Sequence, residues 1–445
     1  MFLFLAAAFN VVQQKAMLVF VKSFGCSMNL AEGAVLAGCL RRAGYELTDS
    51  PCSADIVILN TCAVKGPTED RIIEYSRRIP VGKKLIVGGC LPIVNLERLE
   101  REVAYDAVVG PAAGKHIVEL TRRVATGEKI FSVEQDLFDL QSLDLPRVEP
   151  SSAISIIPVS QGCLGSCAYC CVVAARGHLR SYSVEDVVKR TKEDLAAGFR
   201  EFWITSQDTG CYGKDIGTNL AVLLRSISNI DGDFRIRVGM MTINHVMEIL
   251  EELVEAFRNE RVFRFIHLPL QSGDDFVLKR MRRQYCAKDF ERTVSTFRAK
   301  FPEITVATDV ICGFPGEDEK AFQQTLRLIE EVRPDIVNVS KFFARPKTAA
   351  AGMKKDLVPP QEIKKRSTQM SILARKLASE NNQRWKGWTG EVLIDEAGKT
   401  PGFGVGRNNA YKPVAVKNTA KLIGHFANVK ISKTFPTYLE GILTQ

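Results

Sequence analysis

Residues 157–180 read IPVSQGCLGSCAYCCVVAARGHLR. An apolar run gives way to a glycine-bearing loop in which Cys163, Cys167 and Cys170 stand as CxxxCxxC. Three thiolates within eight positions can converge on one soft metal centre, and three is one too few for a closed four-ligand site. A cubane 4Fe-4S cluster held by three cysteines keeps one iron open for a small chelating ligand. A zinc knuckle or a knot of buried thiols would show the same spacing, so the surrounding chain has to decide between them.

Around this loop, residues 153–382 alternate between strand-like and helix-like patterns. Strands are expected at 153–160, 201–206, 234–238, 262–268, 304–311 and 336–342, and helices at 184–196, 217–229, 244–258, 287–300, 317–331 and 361–380. Six such units make an open, partial (β/α)6 barrel, two short of a closed eightfold one. Parallel strands put their carboxyl ends on one face, where the cysteine loop, TSQDTGCYG, HLPLQSGDD and DVICGFPGE would gather. Apolar strands need only a packed core. The polar residues Gln207, Asp208, His267, Gln271, Ser272 and Glu317 at their ends ask for a further reason, although His267 would also suit a structural histidine and Glu317 a helix cap.

Upstream, residues 17–130 read as an open parallel α/β unit. Its strands run into SFGCSMN, TCAVKGPTE and GGCLP, so Cys26, Cys62 and Cys90 would meet at one sheet edge despite their separation in sequence. Structural zinc sites draw on short-range cysteine pairs, which this unit lacks. Residues 131–152, acidic and interrupted by prolines, read as a linker.

The chain has 445 residues and a net charge of +9, with 12 Lys and Arg against 3 Asp and Glu between residues 341 and 390. Such a concentration suggests a polyanion surface, and a solvated helix face is the plainer reading. Lys364, Lys365, Arg366, Arg375 and Lys376 share one expected helix, and KRMRR from Lys279 adds a second basic group. Twelve cysteines beside glycines suit metal ligation in a reducing compartment, and hence a cytoplasmic location. No apolar run reaches the length of a membrane helix. The opening MFLFLAAAFNVV lacks a basic n-region and a cleavage site, and the strand-like LVFV follows Met17, so translation starting at Met17 instead of Met1 is equally consistent. Residues 383–445 hold five short strands separated by turns, which suits a small antiparallel β-barrel able to bind single-stranded nucleic acid.

The CxxxCxxC loop with Tyr169 beside its last cysteine resembles the radical S-adenosylmethionine superfamily. Three further cysteines at strand ends ahead of it, TDVICGFPGE and the terminal segment resemble the methylthiotransferases within it, over nearly all of residues 17–445. GRNNAYKPV resembles the form found in the archaeal and eukaryotic threonylcarbamoyladenosine methylthiotransferases, whose last module is a TRAM domain. Ser27 stands where that family often has glutamine, and Lys347 where it often has glycine.

The resemblance implies two 4Fe-4S clusters, one on Cys163, Cys167 and Cys170 and an auxiliary one on Cys26, Cys62 and Cys90, with S-adenosylmethionine serving as methyl donor and as radical source. It places Ser206 and Gln207 near the methionine moiety, Arg237 near the cofactor's charged groups and Gln271 and Ser272 toward the cavity. Lys364, Lys365, Arg407, Asn408, Tyr411 and Lys412 would contact RNA, with turn or barrel core as the alternative for Arg407 and Tyr411. Cys171, Cys211, Cys286 and Cys312 receive no ligand role, and Cys171 is expected to point away from the loop's centre. The implied partners are transfer RNAs decoding ANN codons and carrying threonylcarbamoyladenosine at position 37, an electron donor and a sulfur source, and no membrane. Methylthiolation of isopentenyladenosine RNA or of a ribosomal protein, and a noncatalytic RNA-binding iron–sulfur sensor, remain the rival readings.

Overall fold

The computed structural model describes residues 17–133 and 140–444; the leader at 1–16 and part of the expected linker, 134–139, lie outside them. Six parallel strands form the first sheet, in the order Glu46–Leu47, Leu18–Ser23, Ile56–Thr61, Lys84–Gly89, Ala107–Val109 and Ile130–Ser132. The runs IVIL and LIV are buried on both faces, as parallel strands with helices on either side require. Helices Ser27–Arg42 and Ile117–Ala125 cover one face, and Gly66–Arg77 and Leu96–Glu102 the other. The strand order reverses between Leu18–Ser23 and Ile56–Thr61, and open α/β sheets build sites at such a switch point.

The six expected barrel strands are present as Ile154–Pro158, Glu201–Thr205, Arg235–Val238, Phe265–His267, Thr305–Cys312 and Ile336–Lys341. They form two three-stranded parallel sheets joined by a bridge between Ile236 and Val262. Strand alternation sends Ile204, Ile236, Val306 and Val310 outward into the core shared with the helices, and Trp203, Arg237, Phe265 and Asp309 into the lumen. The barrel stays open. Helix Ser27–Arg42 of the first unit packs along its first strand, with Ala31 against Ile154 and Ile156.

The structure refines two expectations here. The described part of the linker is a packed strap: Leu140 and Leu143 join the barrel core, Leu145 joins the first sheet's core, and Val148 N donates to Ala34 O at 2.9 Å. Its prolines and acids concealed the leucines that anchor it. The terminal barrel is closed and five-stranded, but one of its five pairings, Pro413–Lys417 with Leu439–Leu443, is parallel and the other four antiparallel.

Candidate iron–sulfur and substrate site

The cysteine loop springs from a short antiparallel pair, Ser160 with Ser181 and Gln161 with Arg180, just beyond the first barrel strand. Gly162 has φ +81°, and a Cβ there would lie 2.1 Å from His178 O, so only glycine lets the loop close at its base. Ala168 N donates to Met281 O at 2.9 Å, and Ala350 N to Ala168 O at 2.7 Å, which pins the loop's middle. Cys163 and Cys167 flank Gly165, whose N–H donates to Cys163 Sγ at 3.2 Å; Val172 N donates to Cys170 Sγ at 3.4 Å. Arg283 Nη1 donates to Cys167 Sγ at 3.0 Å while its guanidinium lies over the Tyr285 ring.

Ionisation in this loop is uneven. A hydrogen bond from Cys211, outweighing burial, holds the Cys163 thiol below its ordinary value and pushes Cys211 up. Burial, followed by the neighbouring sulfurs, pushes Cys170 up.

The second triad sits at the switch point of the first sheet. Register aligns Ser23, Asn60 and Gly88, so the loops carrying Cys26, Cys62 and Cys90 leave the sheet side by side. Gly25, at φ +108°, lies so close to Cys62 that a Cβ would stand 2.4 Å from its Cβ. Burial raises Cys62 to about 11 and Cys90 to about 12, with the Arg176 charge opposing both. Thiols this hard to ionise stay neutral at ordinary pH, and a bound metal would supply the charge that ionises them.

Arg176 belongs to the other triad's loop, in helix Val172–Arg176, yet it is buried in the first unit, where its Nη2 pairs with Glu32 Oε2 at 3.0 Å and reaches Asn29 Oδ1 at 3.2 Å. Cys171 crosses the same seam: it packs with Ala63 and Cys90, and its Sγ lies 3.6 Å from Ala63 O. The expected turning away of Cys171 is therefore a turn toward the other triad.

Among the described residues, no three Cys, His, Asp or Glu side chains close on a point as a single metal ion needs. A cubane cluster binds each thiolate through a different iron, so its three sulfurs stand apart. All-thiol donors, glycine-tight loops and N–H groups aimed at sulfur suit such a cluster at both triads. Beside the loop, Gln207 Oε1 accepts from Gly162 N at 2.7 Å, and the buried Gln207 Nε2, Gln271 Oε1 and Arg283 Nη2 have no hydrogen-bond partner among the described residues. Buried polar atoms require partners, and a polar ligand at the face where the cysteines open would supply them. Ser206 Oγ lies beside Gln207, accepting from Asp208 N at 3.1 Å.

Other expected residues have different employment. Ser272 is buried under Thr325 and accepts from Asp274 N, a turn role that takes it out of the cavity. Glu317 accepts from Gly313 N and pairs with Arg366 at 2.9 Å, and Asp318, not Glu317, caps the following helix. Arg237 faces the lumen but stacks under Trp203, Phe265 and Tyr411, toward the barrel's floor. Lys347 adopts φ +61° and donates to Ile93 O at 2.7 Å, bracing the two units where charge along an RNA path was expected.

The largest correction concerns GRNNAYKPV. Tyr411 wedges between Phe263 and Phe265, at ring distances of 4.8 and 5.1 Å, and its hydroxyl bonds Glu201. Arg407 lies over Tyr411 and pairs with Asp395 and Glu396; Asn408 is buried and holds Lys412 N; Lys412 is buried on Asp335 at 2.9 Å. These four residues plug the terminal barrel into the floor of the central one and do not face RNA. A turn rich in Arg, Asn, Tyr and Lys has the composition of an RNA contact, and only the opposing strands Glu201–Thr205 and Phe265–His267 show what it meets. Lys364 and Lys365 are exposed, on helix Pro360–Asn382. Arg176 and Arg283 were not singled out in the sequence, although each lies inside a segment that was, the cysteine stretch and KRMRR.

A model of the radical SAM superfamily matches residues 157–329, one of the uncharacterized protein family UPF0004 matches residues 18–110, and one of the TRAM domain matches residues 383–444. The solved radical S-adenosylmethionine methyltransferase TsrM from Kitasatospora setae shares the fold at a TM-score of 0.54 and 16% identity, over 75% of this chain and 74% of that one. The open barrel and its three-cysteine loop are those of a radical S-adenosylmethionine enzyme, with the iron–sulfur chemistry of that class. Over 425 residues the chain is 41% identical to a probable threonylcarbamoyladenosine tRNA methylthiotransferase of Pyrococcus horikoshii, covering 95% of this chain and 98% of that protein. It is 34% identical over 430 residues to the threonylcarbamoyladenosine tRNA methylthiotransferase of Homo sapiens, covering 95% and 73%. The chain belongs to this methylthiotransferase family.

Proposed function

We propose that this protein replaces the C2 hydrogen of N6-threonylcarbamoyladenosine at position 37 of transfer RNA with a methylthio group. The observation that carries the reading is the seam between the triads: one loop bears Cys163, Cys167 and Cys170 and, in its next residues, sends Cys171 and Arg176 into the site of Cys26, Cys62 and Cys90. An aromatic C–H offers no leaving group, so sulfur insertion asks for a radical source and a sulfur-delivering centre, and two three-thiol sites suit two jobs.

On this reading Cys163, Cys167 and Cys170 hold one 4Fe-4S cluster and Cys26, Cys62 and Cys90 a second. With S-adenosylmethionine bound, these groups supply one-electron reductive cleavage, a methyl group and sulfur transfer. The protein's own part is positional. N–H groups of Gly165 and Val172 and the Arg283 guanidinium stabilise negative charge on the loop's sulfurs. Gln207 fixes the loop base through Gly162 N and keeps its Nε2 for the ligand, and the lumen side chains Ile156, Trp203 and Phe265 close the lumen to water from the floor. The exposed Lys364 and Lys365 offer phosphate contacts. The substrates are transfer RNAs decoding ANN codons; an electron donor and a sulfur source complete the cycle, in the cytoplasm.

Anaerobic reconstitution, iron quantification and nucleoside mass spectrometry test the reading. About eight irons per chain is the expected content for two four-iron clusters, together with exchange of one hydrogen for a methylthio group on threonylcarbamoyladenosine. Half that iron and no modified nucleoside would refute it.

A further inference from the structure

The lumen carries polar side chains that none of the roles above uses. His267, Asp309 and Asn338 occupy the lumen face of three adjacent strands, because their neighbours Ile266, Val310, Val337 and Val339 pack outward. His267 Nε2 lies 2.8 Å from Asp309 Oδ2, and Asn338 Nδ2 donates to Asp309 Oδ1 at 3.0 Å. Burial alone would raise the Asp309 carboxyl, but these two bonds, with the charge of Lys65, hold it below its ordinary value. Asn338 is exposed, and its bond to Asp309 uses one of an amide's two N–H donors and neither lone pair of its oxygen.

Lys65 approaches from the first unit, three residues beyond Cys62. Gly66, next in the chain, lies against the ring of Phe343, which is 53% exposed just past the end of strand Ile336–Lys341, so the Cys62 loop packs beside the carboxyl end of that strand. Among the described residues the exposed Lys65 ammonium makes no hydrogen bond or ion pair. An unpaired cation whose charge reaches Asp309 and a half-used amide bonded to the same Asp309 thus stand on one side of the barrel, the cation three residues from a cysteine of the second triad.

We infer that Lys65 and Asn338 select the substrate by its N6 substituent, Lys65 taking an anionic carboxylate and Asn338 a carbamoyl or hydroxyl group. This rests on the threonylcarbamoyladenosine reading, and it states what that reading demands. A threonylcarbamoyl group carries one carboxylate, one hydroxyl and a urea. In adenine, C2 and C6 flank the same ring nitrogen, so a base whose C2 meets sulfur beside Cys62 brings its N6 group within a lysine's length of Lys65. An isopentenyl group offers neither residue a partner. Polar groups built to be paired and left unpaired reject the wrong ligand more strongly than a tight apolar pocket does.

The test uses the reconstituted full chain and synthetic anticodon stem-loops with adenosine 37 carrying the threonylcarbamoyl group as free acid, the same group as its methyl ester, or an isopentenyl group. Wild-type protein should favour acid over ester by about ten- to a hundredfold in kcat/KM, the range of a hydrogen bond between charged groups. Lys65→Met should erase that preference, Lys65→Arg should keep most of it, and Asn338→Ala should slow acid and ester alike. The acid-to-ester ratio is independent of how much variant protein is folded. A Lys65→Met variant that keeps the wild-type ratio would overturn the inference while leaving the substrate reading intact. Wild-type protein that modifies the isopentenyl form and neither threonyl form would overturn the reading itself.

Discussion

Arg176 and Glu32 form an ion pair buried across the seam between the two cysteine triads, one partner on the helix that ends the CxxxCxxC loop and the other on helix Ser27–Arg42. Burying both charges is repaid only by good geometry, and the guanidinium meets the carboxylate through two nitrogens while also reaching Asn29. Because Asn29 lies beside Cys26 and holds Thr61 O next to Cys62, the pair ties the Cys26, Cys62 and Cys90 triad to the CxxxCxxC loop.

Arg176→Met should therefore cost about 3–5 kcal/mol, the range for stranding one partner of a buried pair. Urea denaturation measures it, with Arg176→Lys falling between because a lysine cannot bridge both carboxylate oxygens. An unchanged unfolding midpoint for Arg176→Met would mean that the pair holds nothing.

Arg283 gives Cys167 an N–H···S bond and a positive charge, both of which favour the reduced state of a cluster at this loop. Arg283→Met should lower that cluster's reduction potential in a spectroscopic titration and weaken S-adenosylmethionine binding about tenfold, through loss of the unsatisfied Nη2 donor. Arg283→Lys should restore part of the potential and less of the binding, since the planar fork is lost.

The two triads should fail differently. Cys167→Ala is expected to abolish release of 5'-deoxyadenosine, whereas Cys62→Ala should keep some cleavage and lose the methylthio product. Equal loss of both activities in both variants would argue against separate roles.

Substitutions at Tyr411 and at Lys364 should separate domain docking from RNA binding. Tyr411→Ala removes an aromatic ring wedged between two others and should destabilise the protein by about 3–5 kcal/mol, read by denaturation. The double change Lys364→Glu, Lys365→Glu should leave stability nearly untouched, weaken transfer RNA binding and reduce the salt slope of log K by about two.

Asp395 makes stability fall with rising pH. Burial, then the charge of Glu201, raises its carboxyl to about 9 from an ordinary 3.8, against the pull of Arg407. The folded chain therefore keeps a proton that the unfolded chain has already released, and between about pH 4 and 9 folding loses up to ~1.4 kcal/mol per pH unit on this account. Asp395→Asn should flatten the slope, seen by comparing urea midpoints at pH 5 and pH 8.

Much of this was legible in the chain. The alternation of apolar runs with amphipathic stretches located all six barrel strands, and helices Val184–Ala196 and Ala287–Lys300 fell where periodicity put them. Cysteine spacing singled out the CxxxCxxC triad, strand-end position and the family resemblance pointed to Cys26, Cys62 and Cys90, and Gln207 stands beside the loop base. Ser272, Glu317 and the GRNNAYKPV residues were misread for one reason. A polar side chain looks the same in sequence whether it faces a ligand, caps a turn or pairs across a domain boundary.

What the sequence by itself determined was local: strand and helix periods and the CxxxCxxC loop, each of which depends on residues near one another in the chain, and the placing of Cys26, Cys62 and Cys90 just past three separate strand ends. Only the tertiary structure decided who meets whom. Cys171 and Arg176 entering the other triad's site, Arg283 on Cys167, Tyr411 in the barrel floor and the Lys65 charge reaching Asp309 are pairings between segments tens to more than two hundred residues apart. Long-range packing brings such segments together through the summed burial of many apolar side chains, and no single motif encodes that sum.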